Sequence, residues 1–109
     1  MTVRDLCEKH GYVILSMPDP DREVRGAYVG DLLSWVMGRA GADEVWITIM
    51  SNVNTVAVAS LSDVSLVLLA EDVTLPPDVL ETAKLRGVNV ASSPAPAFQT
   101  ALAVAPDVV

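Results

Sequence analysis

The sequence predicts an α/β protein, a three-layer α/β/α sandwich with a central, mostly parallel sheet of about five strands. The stretch Glu44–Asp72 carries this prediction. Within it, Val45–Met50 and Val64–Ala70 are short runs of β-branched and large aliphatic residues, which is typical of strands buried on both faces. The small-residue segment Thr55–Leu61 between them is long enough for about two turns of helix. The three pieces therefore predict a strand–helix–strand unit with parallel strands.

The other elements follow from capping residues, apolar spacing and turn residues. Thr2 is expected to cap a first helix and Gly11 to end it, and Asp31 is expected to cap another helix. The stretch before Asp31 is expected to be an edge strand that could run antiparallel, because its connection to the first strand is too short for a crossover helix. The predicted helices outside the central unit are Thr2–His10, Leu32–Arg39, Pro76–Arg86 and Ala97–Ala105 (stopped by Pro106), and the predicted strands are Tyr12–Leu15, Glu23–Val29 and Val88–Ala91.

The size and composition of the chain favour one domain that associates with itself. A chain of 109 residues is expected to form a single domain, residues 1–109. It is 51% apolar with a mean hydropathy of +0.42, which is high for a domain small enough to leave much of its surface exposed. We therefore expect a homodimer in which a second copy covers apolar surface. Trp35 and Trp46 are expected in the core or in that interface.

Composition also excludes several classes of function. The net charge is −7 and Lys9 and Lys84 are the only lysines, so no basic stripe exists to bind nucleic acid. Cys7 is the only cysteine, which excludes an internal disulfide, and with His10 it cannot complete a zinc site. The sequence has no signal-peptide pattern and no apolar run of about 20 residues. The expectation is a soluble cytoplasmic protein that does not contact membranes.

Three polar loops are candidate binding sites, because ligands of open α/β sheets bind beyond the carboxyl ends of the parallel strands. These loops are Ser51–Asn54, Glu71–Asp72 and Ser92–Ser93. The first precedes a predicted helix, whose free N–H groups favour a phosphate or carboxylate. The alternative is that Asn52 and Asn54 only turn the chain and cap the helix, as asparagine commonly does.

A second polar segment lies before the predicted edge strand. Asp21 and Arg22 lie there near Arg25, and a charge pair among them could orient a ligand or lock the loop to the sheet edge. The alternative is a solvated turn, where an exposed ion pair contributes about 0–1 kcal/mol. The chain contains no P-loop, no dinucleotide-binding fingerprint and no nucleophile elbow. No nucleophile, base and orienting group can be assembled from it, so the sequence predicts no catalytic residue, no metal ligand and no cofactor.

The chain resembles the DRTGG domain family over most of its length. The resemblance begins at Asp21–Ser34 (DREVRGAYVGDLLS). It continues through Trp46–Ile49 (WITI) and Asn54–Ala59 (NTVAVA), which are similar to the family's W-x-T and N-x-x-A-V-A stretches. It implies an α/β/α sandwich like the N-terminal domain of HPr kinase/phosphorylase, in agreement with the elements derived above.

The sequence departs from the family pattern at three positions. Arg25 and Ala27 stand where the family tends to have threonine and a second glycine, and Asn52 stands where many members have histidine. Family members occur alone, beside CBS domains and in some inorganic pyrophosphatases, so the resemblance implies a regulatory role. The kinase activity of HPr kinase belongs to a separate P-loop domain that this sequence lacks.

Together, the polar loop and the resemblance predict a non-catalytic regulatory module. We expect it to sense a small anionic metabolite, such as an adenine nucleotide, through a homodimer. A protein-interaction or assembly domain without a ligand is the alternative, and an enzyme is the least supported reading. The expected ligand contacts are Thr48, Ser51, Asn52 and Asn54, joined by Arg22, Arg25 and Gly26 if the edge strand folds over that side.

Overall fold

Strands and helices alternate along most of the chain in the computed structural model, which describes residues 1–108. The strands are β1 (Val13–Ser16), β2 (Ala27–Val29), β3 (Val45–Thr48), β4 (Leu66–Leu69) and β5 (Val90–Ser92). The helices are α1 (Val3–His10), α2 (Leu33–Arg39), α3 (Val53–Ser62), α4 (Pro77–Leu85) and α5 (Ala97–Val108). The strands form one five-stranded sheet in the order β1-β5-β4-β3-β2. Strands β2 to β5 are parallel to their neighbours, and β1 is antiparallel to β5.

The central strands β3 and β4 are buried on both faces, as their unbroken apolar runs predict. Side chains alternate between the faces: Trp46 and Val67 point into one core and Ile47 and Leu68 into the other. Helices α2, α3 and α4 cover the first face, and α1 and α5 cover the second. The predicted three-layer α/β/α sandwich and its β3-α3-β4 unit are therefore confirmed.

The local signals that end helices are confirmed at the start of the chain and wrong at its end. Thr2 and Asp5 form a reciprocal capping box, and Gly11 closes α1 with a φ of 69°. Pro106 was expected to stop the last helix, yet α5 runs through it to Val108. A proline in the last turn removes a hydrogen bond only to the carbonyl of Leu102, an exposed residue, so water can replace the lost bond.

The position of β2 at the sheet edge was predicted correctly, but an antiparallel direction is wrong. Strand β2 runs parallel to β3, with Tyr28 beside Trp46. The antiparallel strand is β1, at the opposite edge. The expectation assumed that consecutive strands are neighbours, whereas the chain leaves β1 and crosses the full width of the sheet before it forms β2. Helix α2 then supplies the crossover from β2 to β3.

The segment from Met17 to Gly26 makes this crossing along the amino ends of the parallel strands. Asp19 exchanges hydrogen bonds with the side chain of Asn89, just before β5. Val24 is buried in the α1/α5 core, and the N–H of Gly26 donates to the carbonyl of Val108. The crossing segment is therefore a packed part of the fold.

Among residues 1–108, the helices are all too short or too polar to traverse a lipid bilayer.

We predict that Gly26→Ala destabilises the fold, whereas Gly38→Ala does not. Gly26 has a φ of +81°, and a Cβ there would lie 3.1 Å from Oε2 of Glu44. We expect a loss of about 1–2 kcal/mol in the free energy of unfolding. Gly38, inside α2, would have nothing within 4 Å of an added Cβ, and alanine there should add about 0.5–1 kcal/mol. Urea unfolding of both variants measures the difference, and equal effects would contradict it.

Candidate ligand-binding site

Thr48 and Asp31 join the carboxyl ends of β3 and β2. The Thr48 side chain is buried, and its Oγ1 donates to Oδ1 of Asp31 over 2.7 Å. The N–H of Ile49 donates to the same Oδ1 over 3.0 Å. Asp31 was expected to cap α2, and this expectation is wrong: Leu32 occupies the cap position without a side-chain bond. The carboxylate instead fixes the first turn after β3, because that turn offers it both an N–H and a hydroxyl.

The loop that follows β3 is closed by Asn52. Its side-chain oxygen accepts hydrogen bonds from the N–H groups of Asn54 and Thr55, over 2.9 and 3.3 Å, at the start of α3. Of the two roles left open for Asn52, the structure thus contains the capping role. Asn54 is exposed and Ser51 is half-buried, and no hydrogen bond of the described residues involves either side chain. These two side chains are therefore available to a ligand.

The carboxyl end of the sheet is acidic. Glu71 and Asp72 follow β4, and both adopt a left-handed backbone with φ of 60°. Their N–H groups donate to the carbonyls of Ala95 and Ser93, so this turn is tied to the loop after β5. The loops after β3, β4 and β5 contain no lysine or arginine. An anion bound there would therefore lack a cation from these loops.

Arg22, Arg25 and Gly26 lie at the other end of the sheet. Arg22 contacts Asp43 and Asp63, which directly precede the strand regions of β3 and β4. The N–H of Arg25 donates to the carbonyl of Asp43. The seven predicted ligand contacts therefore fall into two groups at opposite ends of the sheet. One group, at the carboxyl ends, is Thr48, Ser51, Asn52 and Asn54, and the other, at the amino ends, is Arg22, Arg25 and Gly26. One copy of the chain does not bring the two groups together.

The guanidinium of Arg22 is used within the fold. Its Nε and Nη2 donate to Oδ1 of Asp43 over 3.1 and 3.0 Å, and its Nη1 lies 2.9 Å from Oδ1 of Asp63. Asp43 and Asp63 have φ of 66° and 59°, a conformation that costs energy outside glycine. Burial lowers the pKa of Arg22, but its hydrogen bonds to Asp63 and Asp43 raise it above the ordinary value. The arginine thus clamps two strained turns.

A cavity of about 210 Å³ lies beside the loop after β5. His10, Tyr12, Ser93, Gln99 and Thr100 are among its lining residues. Ligand pockets usually measure roughly 300–1,000 Å³, so this one is too small for a nucleotide. None of the predicted contacts lines it. The sequence analysis named the loop that contains Ser93, but it did not predict the cavity. The cavity depends on the packing of α1 against α5, which no sequence pattern indicates.

The ionisable groups around this cavity are paired or buried. Hydrogen bonds from Lys9 and His10 lower the pKa of Asp107, and His10 also stacks on Tyr12 with ring centroids 5.3 Å apart. Cys7 is a buried core residue, and burial raises the pKa of its thiol to about 11. No cluster of three metal-ligating side chains occurs within residues 1–108.

The fold and the position of the polar loops define a class of protein: a three-layer α/β module with its open polar groups beyond the carboxyl ends of the parallel strands. A solved structure with a similar fold is "Crystal structure of the CBS and DRTGG domains of the regulatory region of Clostridium perfringens pyrophosphatase complexed with activator, diadenosine tetraphosphate". The TM-score is 0.75 over 94% of this chain, and the sequence identity is 13%. The match covers 45% of that chain, so this protein spans less than half of it.

No family model matches the sequence, and a search of curated proteins finds no match. At 13% identity, the likeness to the pyrophosphatase region establishes the fold alone. It agrees with the DRTGG resemblance of the sequence at that level.

We predict that Arg22→Lys destabilises the protein by about 1–3 kcal/mol. Lysine keeps the charge but loses the planar fork that reaches both aspartates. Arg25→Lys is the matched control, because the Arg25 side chain is exposed and makes no ion pair with residues 1–108. That variant should stay within about 0.5 kcal/mol of the parent. Chemical unfolding measures both, and an unchanged Arg22→Lys would show that the clamp contributes nothing.

Proposed function

We propose that this protein is a non-catalytic regulatory module that binds an adenine nucleotide and acts as a homodimer. The observation that carries the proposal is the fold it shares with a regulatory region whose crystal structure contains diadenosine tetraphosphate. That region belongs to a pyrophosphatase and carries CBS domains as well. Its regulatory character supports a regulatory rather than an enzymatic role for this chain. The single-domain organisation and the cytoplasmic location remain predictions from the sequence.

We place the ligand at the carboxyl ends of β2 and β3. Asp31 uses only Oδ1 in its bonds to Thr48 and Ile49, so Oδ2 can accept a hydrogen bond from a ribose hydroxyl or an adenine amino group. The amide of Asn54 and the hydroxyl of Ser51 lie in the next loop and supply donors as well as acceptors. Asn52 would support the ligand indirectly by holding this loop.

The charges at this end favour the nucleoside over the phosphates. Asp31, Glu71 and Asp72 would repel phosphate groups at short range. A nucleotide would therefore place its sugar and base against Asp31, Ser51 and Asn54, and its phosphates would extend toward solvent or toward a cation from elsewhere. This orientation is part of the proposal.

A protein-interaction domain without a ligand is the second candidate. The exposed apolar side chains at the β2 edge favour it, and it differs from the first only in its lack of response to metabolites. An enzyme has the least support: Ser93 and His10 line the same cavity, but the hydroxyl of Ser93 pairs with Thr100, and no hydrogen bond of the described residues joins it to the ring of His10. The cavity therefore lacks a nucleophile hydrogen-bonded to a base.

We predict that adenine nucleotides raise the thermal unfolding midpoint of the purified protein. The screen would contain AMP, ADP, ATP, diadenosine tetraphosphate, cyclic dinucleotides and inorganic phosphate. A ligand at 100 times its dissociation constant stabilises the native state by about 2.7 kcal/mol. In a domain of this size that corresponds to a rise on the order of 10 °C. A flat screen would favour the interaction domain, and sustained turnover of a phosphorylated substrate by the pure protein would favour an enzyme.

Asn54→Ala tests the placement of the ligand. Its side chain makes no bond with the described residues, so the unliganded midpoint should change little while the nucleotide-induced shift falls. Ser60→Ala is the matched control, since Ser60 is exposed on the same helix near its far end and should keep the full shift. A full shift in Asn54→Ala would place the ligand elsewhere.

A further inference from the structure

Within residues 1–108, no strand pairs with the outer edge of β2, which leaves this hydrogen-bonding edge open. Bonds from Val45 N–H to the Gly26 carbonyl and from Gly30 N–H to the Ile47 carbonyl fix which residues of β2 face β3. In a parallel ladder these residues alternate, so Ala27 and Val29 direct their N–H and C=O groups away from the sheet. Both residues are exposed. An open edge of this kind is a template for pairing with another strand.

Exposed apolar side chains lie on both faces of the sheet near this edge, since Val29 shares the face of Ile47 and helix α2 covers the opposite face. We define the β2 patch as the exposed side chains of Val29, Leu32, Trp35 and Ile49. Leu32 directly follows Asp31, whose carboxylate accepts a hydrogen bond from the N–H of Ile49, so both residues lie at the carboxyl ends of β2 and β3. Trp35, 54% exposed, lies one turn along α2 and carries the guanidinium of Arg39 4.0 Å from its ring centroid. Large apolar residues grouped around an open edge are typical of an interface.

The charges at the two ends of β2 are self-complementary. Arg25 lies three residues before Tyr28 and Asp31 lies three residues after it. Both are exposed, and Arg25 makes no ion pair with the described part of the chain. If two β2 strands pair antiparallel about a two-fold axis at Tyr28, the amino end of each strand, which Arg25 precedes, comes beside the carboxyl end of the other, which Asp31 follows. A parallel arrangement would instead place like charges together.

We propose that a second copy of this chain docks on the β2 edge in this antiparallel arrangement and brings its Arg25 to the carboxyl end of β2 and β3. Each interface residue then meets its counterpart in an isologous contact. The proposal deepens the proposed function and rests on its homodimer and its ligand site. Asp31, Ser51 and Asn54 of one copy and Arg25 of the other would form one composite site. Thr48 and Asn52 would support it through their hydrogen bonds to Asp31 and to the start of α3.

The composite site supplies a cation at the carboxyl end of the sheet, where the loops after β3, β4 and β5 contain no lysine or arginine. Asp31 keeps an acceptor for the nucleoside, and Arg25 of the second copy supplies a guanidinium for the phosphates, which it can bind through two parallel hydrogen bonds. A ligand that touches both copies would bind the dimer more tightly than the monomer. Ligand binding and association would then be coupled, as regulation requires.

Sedimentation analysis of Val29→Lys and Val13→Lys at micromolar concentration tests the interface. The two valines are 51% and 58% exposed and lie on the two opposite edge strands. A lysine at Val29 places two positive charges close together across the proposed axis and should turn the dimer into a monomer, with circular dichroism unchanged. Lysine at Val13 should leave the dimer intact.

Other results overturn the interface and separate it from the proposed function. If the parent protein is monomeric both with and without nucleotide, the proposed interface and the homodimer are contradicted. Nucleotide binding is still tested in that case, by the shift of the thermal unfolding midpoint. A dimer that survives Val29→Lys contradicts this interface alone and leaves the homodimer in place. A monomer produced only by Val13→Lys moves the interface to β1.

Arg25→Glu provides a second variant if Val29→Lys does not fold. Since the Arg25 side chain makes no contact that the fold requires, this variant should fold and raise the dimer dissociation constant several-fold at low salt. The effect should shrink at high salt, where charges are screened. It should also reduce nucleotide binding in a sample concentrated enough to remain dimeric. An unchanged dissociation constant at low salt would contradict the proposed pairing of Arg25 with Asp31.

Discussion

The crossing segment between β1 and β2 is the constraint on which the rest of the structure depends. Those two strands occupy opposite edges of the sheet, so the chain must traverse the amino ends of all the strands between them. It is held at successive strands by Asn89 before β5, by Asp63 before β4 and by Asp43 before β3. Arg22 makes two of these three attachments. Together with the bonds of Gly26 to Val108 and of Asp31 to Thr48, they hold the edge strand β2, whose own ladder is three residues long.

This construction gives the two ends of the sheet different properties. At the amino end the guanidinium of Arg22 bonds to two carboxylates and a carbonyl of the fold, whereas the Arg25 side chain is exposed. At the carboxyl end Asp31 uses one oxygen for the turn after β3, and the side chains of Ser51 and Asn54 make no bond with the described residues. A buried polar group must be paired, whereas an exposed one can exchange water for a ligand. These open polar groups are the reason we propose that the nucleotide binds at the carboxyl end.

Much of the fold was predictable because its signals are local. The apolar runs of β3 and β4, the capping box at Thr2 and the αL glycine at position 11 each depend on a few neighbouring residues. The direction of β2 and the partners of Arg22 and Asp31 depend on which strands become neighbours. The short connection before β2 led to the wrong prediction that β2 is antiparallel. Asp31 shows the limit most clearly, since an aspartate before a helix predicts a cap, but Thr48 is a better partner that is distant in sequence.

Electrostatics links the candidate site to the oligomeric state. A net charge of −7 opposes self-association at long range, so an interface between copies must offset that repulsion locally. Apolar burial at the β2 patch is one contribution, and the opposed positions of Arg25 and Asp31 are the other. The carboxyl end of the sheet is acidic and needs a cation to bind phosphate. In the proposed dimer, Arg25 of the second copy lies at this end. A nucleotide bound there would place its sugar and base against Asp31 of one copy and its phosphates against Arg25 of the other. It would thus contact both copies, so nucleotide binding and dimer formation would favour each other.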